Sequence, residues 1–327
     1  MLETRFTRLV GCTVPIQQAG MGAASRAELT AAVSNAGGLG MLGCGFGEGG
    51  PDGIALQLTQ TRALTSRPVG ANFVIIDGAP PIDHACLEAA ASLAQLVEFF
   101  LWAAPDPGLI DLVHQLGALV SCQVGSAEEA KQAVDAGADM IAAQGYEAGG
   151  HVRSTVGLLP LLGEVLEAVD VPVVAAGGIG TARAMAAALA AGADGVRVGT
   201  RFVASVEAWV HAGYKQALID AHAEDSVYTR TFSLGWDAPH RVLRSAVAAA
   251  EAFDGDIVGE RVIWWNNTHA PLRRFAPGMP FEGTTGAVEA MALFAGESVG
   301  GVRQVQPAGD IVREMAEGAE HLLRRWT

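Results

Sequence analysis

The chain is short of charge, and of positive charge above all. Of its 327 residues only 17% are Asp, Glu, Lys or Arg, and 21 basic side chains face 35 acidic ones, for a net charge of −14. That deficit excludes a nucleic-acid face, which needs a basic stripe. It does not exclude a phosphate ligand, which a glycine loop or a single arginine can hold. The four cysteines, Cys12, Cys44, Cys86 and Cys122, are too far apart for metal-ligand spacing and read as reduced side chains of a cytoplasmic protein. No apolar run reaches the roughly 18 residues of a membrane span. The opening MLETRFTRLV lacks the apolar core of a signal peptide. The expectation is a cytoplasmic protein with no membrane partner. Also missing are a Gly-x-Ser-x-Gly elbow and, in the glycine-rich run 43–50, the lysine of a P-loop. Ala36-Gly37-Gly38-Leu39-Gly40 superficially resembles a dinucleotide fingerprint but precedes a strand instead of following one. His211, His222, His240 and His269 are dispersed without carboxylates at ligand spacing, so no metal is expected.

What the chain has in abundance is small and apolar. Half of it is hydrophobic and 41 residues are glycine, which suits a large core with helices packed closely on strands. The most informative stretch is 171–201. Val171-Pro172-Val173-Val174 opens a buried strand, Gly177-Gly178-Ile179-Gly180 makes a corner, and Thr181 caps an alanine-rich helix over 182–190. Gly192 ends that helix, and a second strand over 195–198 runs into Gly199-Thr200. Two adjacent glycine corners of this kind can cradle a phosphate, because no Cβ blocks the backbone. In a (β/α)8 barrel that site follows strands seven and eight. The plainer alternative is two tight turns with no ligand.

The rest of the chain supplies six earlier strands, at 14–20, 39–42, 69–74, 97–102, 119–124 and 140–143. Helices are expected over 26–35, 52–65, 82–93 and 127–136, the last opened by a Ser126/Glu129 capping box. Ala-Gly-Ala-Asp recurs at 136–139 and 191–194, each time between a helix and a strand. Eight strand–helix units favour a closed α/β TIM barrel over an open sheet. After Glu207 the alternation stops. Residues 208–283 read as a mostly helical lid inserted after strand eight, holding Trp209, Trp236, Trp264 and Trp265. The barrel then comprises 1–207 and 284–327, with helix expected at 283–300 and 310–326.

The reactive set is small. Asn72 and Gln123 end the third and fifth strands, where neutral amides suit a heteroaromatic ring or a ribityl chain. The loop Gln144-Gly145-Tyr146-Glu147-Ala148-Gly149-Gly150-His151 follows strand six and sets an imidazole beside a glycine pair. A histidine titrating near neutrality can take a proton from a carbon acid. The plainer alternative is a loop histidine bonded to backbone.

Taken together, Gln18-Ala19-Gly20-Met21-Gly22, Ala32-Val33-Ser34-Asn35-Ala36-Gly37-Gly38-Leu39-Gly40, Gly145-Tyr146-Glu147-Ala148-Gly149-Gly150-His151, Ala175-Ala176-Gly177-Gly178-Ile179 and Gly195-Val196-Arg197-Val198-Gly199-Thr200-Arg201-Phe202 resemble the nitronate monooxygenase family. The likeness runs over about 10–207 and 290–325. Flavin-dependent enoyl-acyl-carrier-protein reductases share nearly all of these motifs. The resemblance implies a barrel binding FMN, with Ala19, Gly20, Met21 and Gly22 along the ring and Asn72 and Gln123 on its polar edge or ribityl chain. Gly149 and Gly150 would lie beside the ribityl-phosphate region, Gly177, Gly178, Gly199 and Thr200 would hold the phosphate, and His151 would be the base. The implied activity is oxidation of alkyl nitronates, or of nitroalkanes, by O2 to carbonyl compounds and nitrite. The alternative is an NAD(P)H-dependent reductase of an enoyl thioester or quinone. A homodimer is compatible with either. Two positions depart from the family pattern: Arg153-Ser154 follows His151-Val152 where many members carry glycine, and Glu297 stands where a glutamine would approach the flavin. A carboxylate there would disfavour an anionic reduced ring, and Arg153 is the side chain expected to offset it.

Overall fold

A computed structural model describes residues 2–325. Eight parallel strands form one sheet: Ile16–Gln18, Gly40–Gly45, Val69–Ile76, Leu96–Trp102, Leu119–Val124, Met140–Gln144, Val173–Ala176 and Gly195–Val198. The first strand pairs with the eighth, Ile16 opposite Val196. It meets the second through a parallel bridge between Gln17 and Leu39, with Leu39 N donating to Ile16 O at 2.8 Å and Gln18 N to Leu39 O at 2.9 Å. The sheet therefore closes on itself as a TIM barrel. The second strand runs past the expected 39–42 because its later residues are small. A Cβ on Gly43 would fall 2.2 Å from the Gly22 carbonyl oxygen, so only glycine lets the second strand lie against the first strand's loop.

An unexpected helix, Arg5–Val10, capped by Thr4, closes the opposite end of the barrel. Its Phe6 and Val10 pack with Cys12, Leu39, Met41, Leu96, Met140 and Val174 as a small core separate from the main one. The other core lies between the strands and the outer helices and is much the larger. Thr181 caps helix Ala182–Ala190 as expected, accepting from Ala184 N. The capping box at Ser126 forms only by half. Ser126 Oγ accepts from Glu129 N at 3.2 Å, but the Glu129 carboxylate turns back one residue further, to Gly125 N at 2.7 Å, and pairs with Arg153 Nε at 3.0 Å.

The insertion differs most from expectation. It is not mostly helical. Helices Ala212–Asp220 and Arg244–Ala252 alternate with strands Ser226–Thr229, His240–Leu243, Ile257–Ile263 and Thr268–Arg273, and Thr285–Gly286, just beyond, pairs with Ile257–Ile263. Ahead of helix Arg244–Ala252 runs the strand His240–Leu243, every residue of it buried, where the mostly helical reading had no strand. That strand pairs with Ser226–Thr229 on one side and with Gly150–His151 on the other, which ties the insertion to the loop after the sixth barrel strand. A helix there would have forfeited this ladder. Asn267, at φ +52°, turns the hairpin between Ile263 and Thr268, a conformation asparagine tolerates better than most residues. Residues 283–300 hold short 3₁₀ turns, Val288–Ala290 and Glu297–Gly301, instead of a long helix. The last helix is Ala308–Leu323; Trp326, placed in it by the sequence, lies outside the described residues. No described helix is long and apolar enough to cross a membrane.

Candidate active site

A cavity of about 270 Å³ opens at the C-terminal ends of the barrel strands, between the barrel and the insertion. Thirteen of the residues singled out in the sequence line it: Ala19, Gly20, Met21, Gly22, Asn72, Gln123, Gly149, Gly150, His151, Gly177, Gly178, Gly199 and Thr200. Gly177 and Gly178 take φ +107° and +67°, the left-handed region that a side chain resists, so the corner after the seventh strand depends on glycine. Gly149 is required for a different reason. A Cβ there would lie 2.4 Å from Gly296 N, where the C-terminal segment crosses the loop after strand six. Thr200 Oγ1 accepts from that same Gly296 N at 3.0 Å, which leaves the hydroxyl proton to donate elsewhere.

Beneath the cavity the barrel interior is polar. Glu98, fully buried on the fourth strand, accepts from Gln17 Nε2 at 2.9 Å, Asn72 Nδ2 at 2.9 Å and Arg197 Nη2 at 2.7 Å. Arg197, on the eighth strand and 6% exposed, also donates through Nη1 to Gln123 Oε1. Burial pushes the guanidinium pKa down and Glu98 pushes it back up. These bonds decide which way the two amides face. With its oxygen taken by Arg197, Gln123 is left with Nε2 buried and without a hydrogen-bond partner. Gln144 donates through Nε2 to the His151 carbonyl at 3.2 Å and leaves Oε1 in the same condition. Arg197 Nε and His151 Nε2 are likewise buried and unsatisfied. Four such atoms around one cavity is a concentration that native proteins avoid unless a ligand completes the bonds.

His151 sits in an aromatic enclosure. Its ring stacks on Trp236 with centroids 3.9 Å apart, and Phe294 and Trp102 pack at 5.4 and 6.4 Å. His240 lies 5.7 Å away. Because Phe232 N donates to His240 Nε2, the proton of that ring is on Nδ1, bonded to the Ala238 carbonyl at 2.9 Å; His240 is neutral and fixed. Burial pushes the His151 pKa down to about 3. The imidazole is therefore uncharged at neutral pH rather than poised near it, as its sequence context suggested.

The two departures from the family pattern fall outside the cavity. Glu297 turns its carboxylate towards Arg241 Nη1 at 3.4 Å, so the repulsion expected on a flavin does not arise from it; its neighbour Ser298 lines the cavity instead. Arg153 donates to the Leu101 carbonyl at 2.7 Å, pairs with Glu129, and offsets nothing at the site. The sequence reading missed Glu98, Arg197 and Trp236. A signal existed for the first two: opposite charges set in otherwise apolar buried strands must be paired with each other. Trp236 had none, since its position depends on how the insertion folds back.

The model of the nitronate monooxygenase family matches residues 3–318. The chain belongs to that family. A nitronate monooxygenase of Pseudomonas aeruginosa is 34% identical over 71% of this chain and 78% of its own length. A (3aS,4S,5R,7aS)-5-hydroxy-7a-methyl-1-oxo-octahydro-1H-indene-4-carboxyl-CoA dehydrogenase of Rhodococcus jostii is 36% identical over 79% of this chain and 70% of its own length. Among solved structures, FabK of Thermotoga maritima superposes with a TM-score of 0.82 at 31% identity, covering 100% of this chain and 99% of FabK. A nitroalkane oxidase of Streptomyces ansochromogenes gives 0.81 at 31% identity, covering 99% and 100%. The chain is thus an oxidoreductase built on a TIM barrel, with members of more than one substrate class among its relatives.

Proposed function

We propose that the cavity binds FMN and that the enzyme oxidises alkyl nitronates with O2 to carbonyl compounds and nitrite. The supporting observation is the set of unsatisfied buried atoms. Gln123 Nε2 and Arg197 Nε are donors and Gln144 Oε1 an acceptor, the mixed edge that a flavin ring presents in complement. The glycine corners at 177–178 and 199 and the spare hydroxyl proton of Thr200 suit a phosphate, and the open backbone at 19–22 suits a flat ring. In this proposal the barrel, 1–207 and 284–327, holds the cofactor. The insertion, 208–283, shapes the substrate end through Trp236, Arg261, Met279 and Phe281, all of which line the cavity.

Bound flavin supplies the redox chemistry; the chain's residues select, orient and desolvate the substrate. Trp236 and Phe294 exclude water around His151, and Gln144 pins the backbone of the loop that carries it. With its proton on Nδ1, the neutral imidazole would accept a hydrogen bond or a proton at Nε2, which is buried and without a partner. Its low pKa makes it a weak base, since proton abstraction is favoured by a pKa near the working pH. That supports the preformed nitronate over the neutral nitroalkane as the better substrate.

A second reading has its own observation: the Rhodococcus relative is named for a CoA thioester, and the walls formed by Phe46, Met279, Phe281 and Phe294 would accept an apolar acyl group. It predicts a reductase or dehydrogenase using NAD(P)H or NAD(P). An anaerobic series decides between them. FMN-loaded protein should lose its flavin absorbance on mixing with an alkyl nitronate and keep it with NADH or NADPH. Bleaching by the nicotinamides and not by the nitronate would replace the first reading with the second.

A further inference from the structure

We propose that the buried Glu98–Arg197 pair, resting on the flavin reading above, is a positioning and tuning device that presents the positive end of a dipole to the bound ring. Three observations carry it. The pair spans the barrel interior from the fourth to the eighth strand, and Glu98 is fully buried with its oxygens taken by Gln17, Asn72 and Arg197. Arg197 lines the cavity and Glu98 does not, so the cation is the nearer charge to any occupant. The Arg197 Nε has no partner in the protein although it is buried, and Gln123, oriented by Arg197, holds out a second unsatisfied donor beside it.

Stability does not explain such a pair. Two desolvated charges recover little more than their burial costs, and apolar residues of similar volume would serve the core as well or better. A ligand that accepts from Arg197 and Gln123 and gains negative charge on reduction does explain it. A nearby cation favours the charged form of such a group, and in a low-dielectric interior the effect is large. Asn72 and Gln123 thereby become parts of one unit: Glu98 accepts a hydrogen bond from the amide of the first, and Arg197 donates to the oxygen of the second.

The test is the two-electron reduction potential of FMN-loaded protein, measured against a reference dye for the wild type, E98Q, R197Q and the E98Q/R197Q double variant. E98Q leaves the cation uncompensated and should raise the potential. R197Q should lower it. The double variant removes both charges and with them the dipole, so its potential should fall, but by less than in R197Q. It also buries no unpaired charge, so it carries the test if either single variant does not fold. A tenfold loss in preference for the reduced cofactor corresponds to a fall of about 30 mV for this couple. Potentials that stay together in R197Q and the double variant, or that move the same way in E98Q and R197Q, overturn the inference alone. A wild-type protein that takes up no FMN overturns the flavin reading and this inference with it.

Discussion

In the proposed function the chemistry narrows to one side chain, His151. Its ring is held by Trp236 and its carbonyl by Gln144, and burial keeps it neutral with a pKa of about 3. The consequence for stability has a definite sign. Unfolded, the imidazole titrates near 6.5; folded, it stays neutral until much lower pH, so the unfolded chain binds the extra proton in between. His151's contribution to stability is therefore fully present above pH ~6.5 and is lost as the pH falls from there towards 3. Its ring signals should not shift between pH 8 and 5 in an NMR titration, and H151Q should flatten the acid side of the stability profile. A ring that titrates near 6.5 in the folded protein would show that the enclosure is open to water. In kinetics, H151A should keep bound flavin, abolish turnover of a neutral nitroalkane and partly spare the preformed nitronate. Equal loss on both substrates would remove His151 from the role of base. This residue was legible because a glycine pair after a strand is a local signal. Glu98 and Arg197 carried only the signal of opposite charges in apolar strands, whose pairing depends on the closed barrel, and Trp236 carried none.

At the scale of elements, the repeated Ala-Gly-Ala-Asp has a physical explanation that its recurrence alone did not provide. Asp139 N donates to Val120 O at 2.9 Å while its carboxylate accepts from Val120 N at 2.7 Å. Asp194 does the same to Val173, at 2.8 and 3.0 Å. Each aspartate clamps the start of its own strand to the start of the preceding one, and so sets register where a parallel pair begins. D139A and D194A should each cost about 1–2 kcal/mol in denaturant unfolding, and values near zero would reduce the clamp to ordinary turn chemistry. Gly149 makes the complementary case. G149A forces a Cβ against Gly296 N, so it should destabilise the fold by about 1–3 kcal/mol and loosen the C-terminal segment to proteolysis. Strands with continuous apolar runs and the capped helices at 127–135 and 182–190 could be read from sequence to within a few residues, whereas Pro107–Gln115, capped by Asp106, and Leu158–Ala168 were not named. The insertion could not be read. Short strands such as His240–Leu243 pair with elements remote in sequence, and their local pattern merges with the helix that follows.

For the whole molecule, the barrel closes through the first and eighth strands, the N-terminal helix seals one end, and the insertion roofs the other over a polar floor. The closed barrel was visible in the count of strand–helix units. The polar floor was not, because it assembles side chains from five strands that no linear motif unites. The proposed function requires a cavity shaped for a flavin carrying a phosphate. The most direct test is equilibrium binding of FMN and of riboflavin, which differ only in that group, to the apo-protein followed by fluorescence quenching. One FMN should bind per chain, and riboflavin should bind more weakly by at least about tenfold, or 1.4 kcal/mol. Riboflavin bound as tightly as FMN, or neither bound at all, would contradict it.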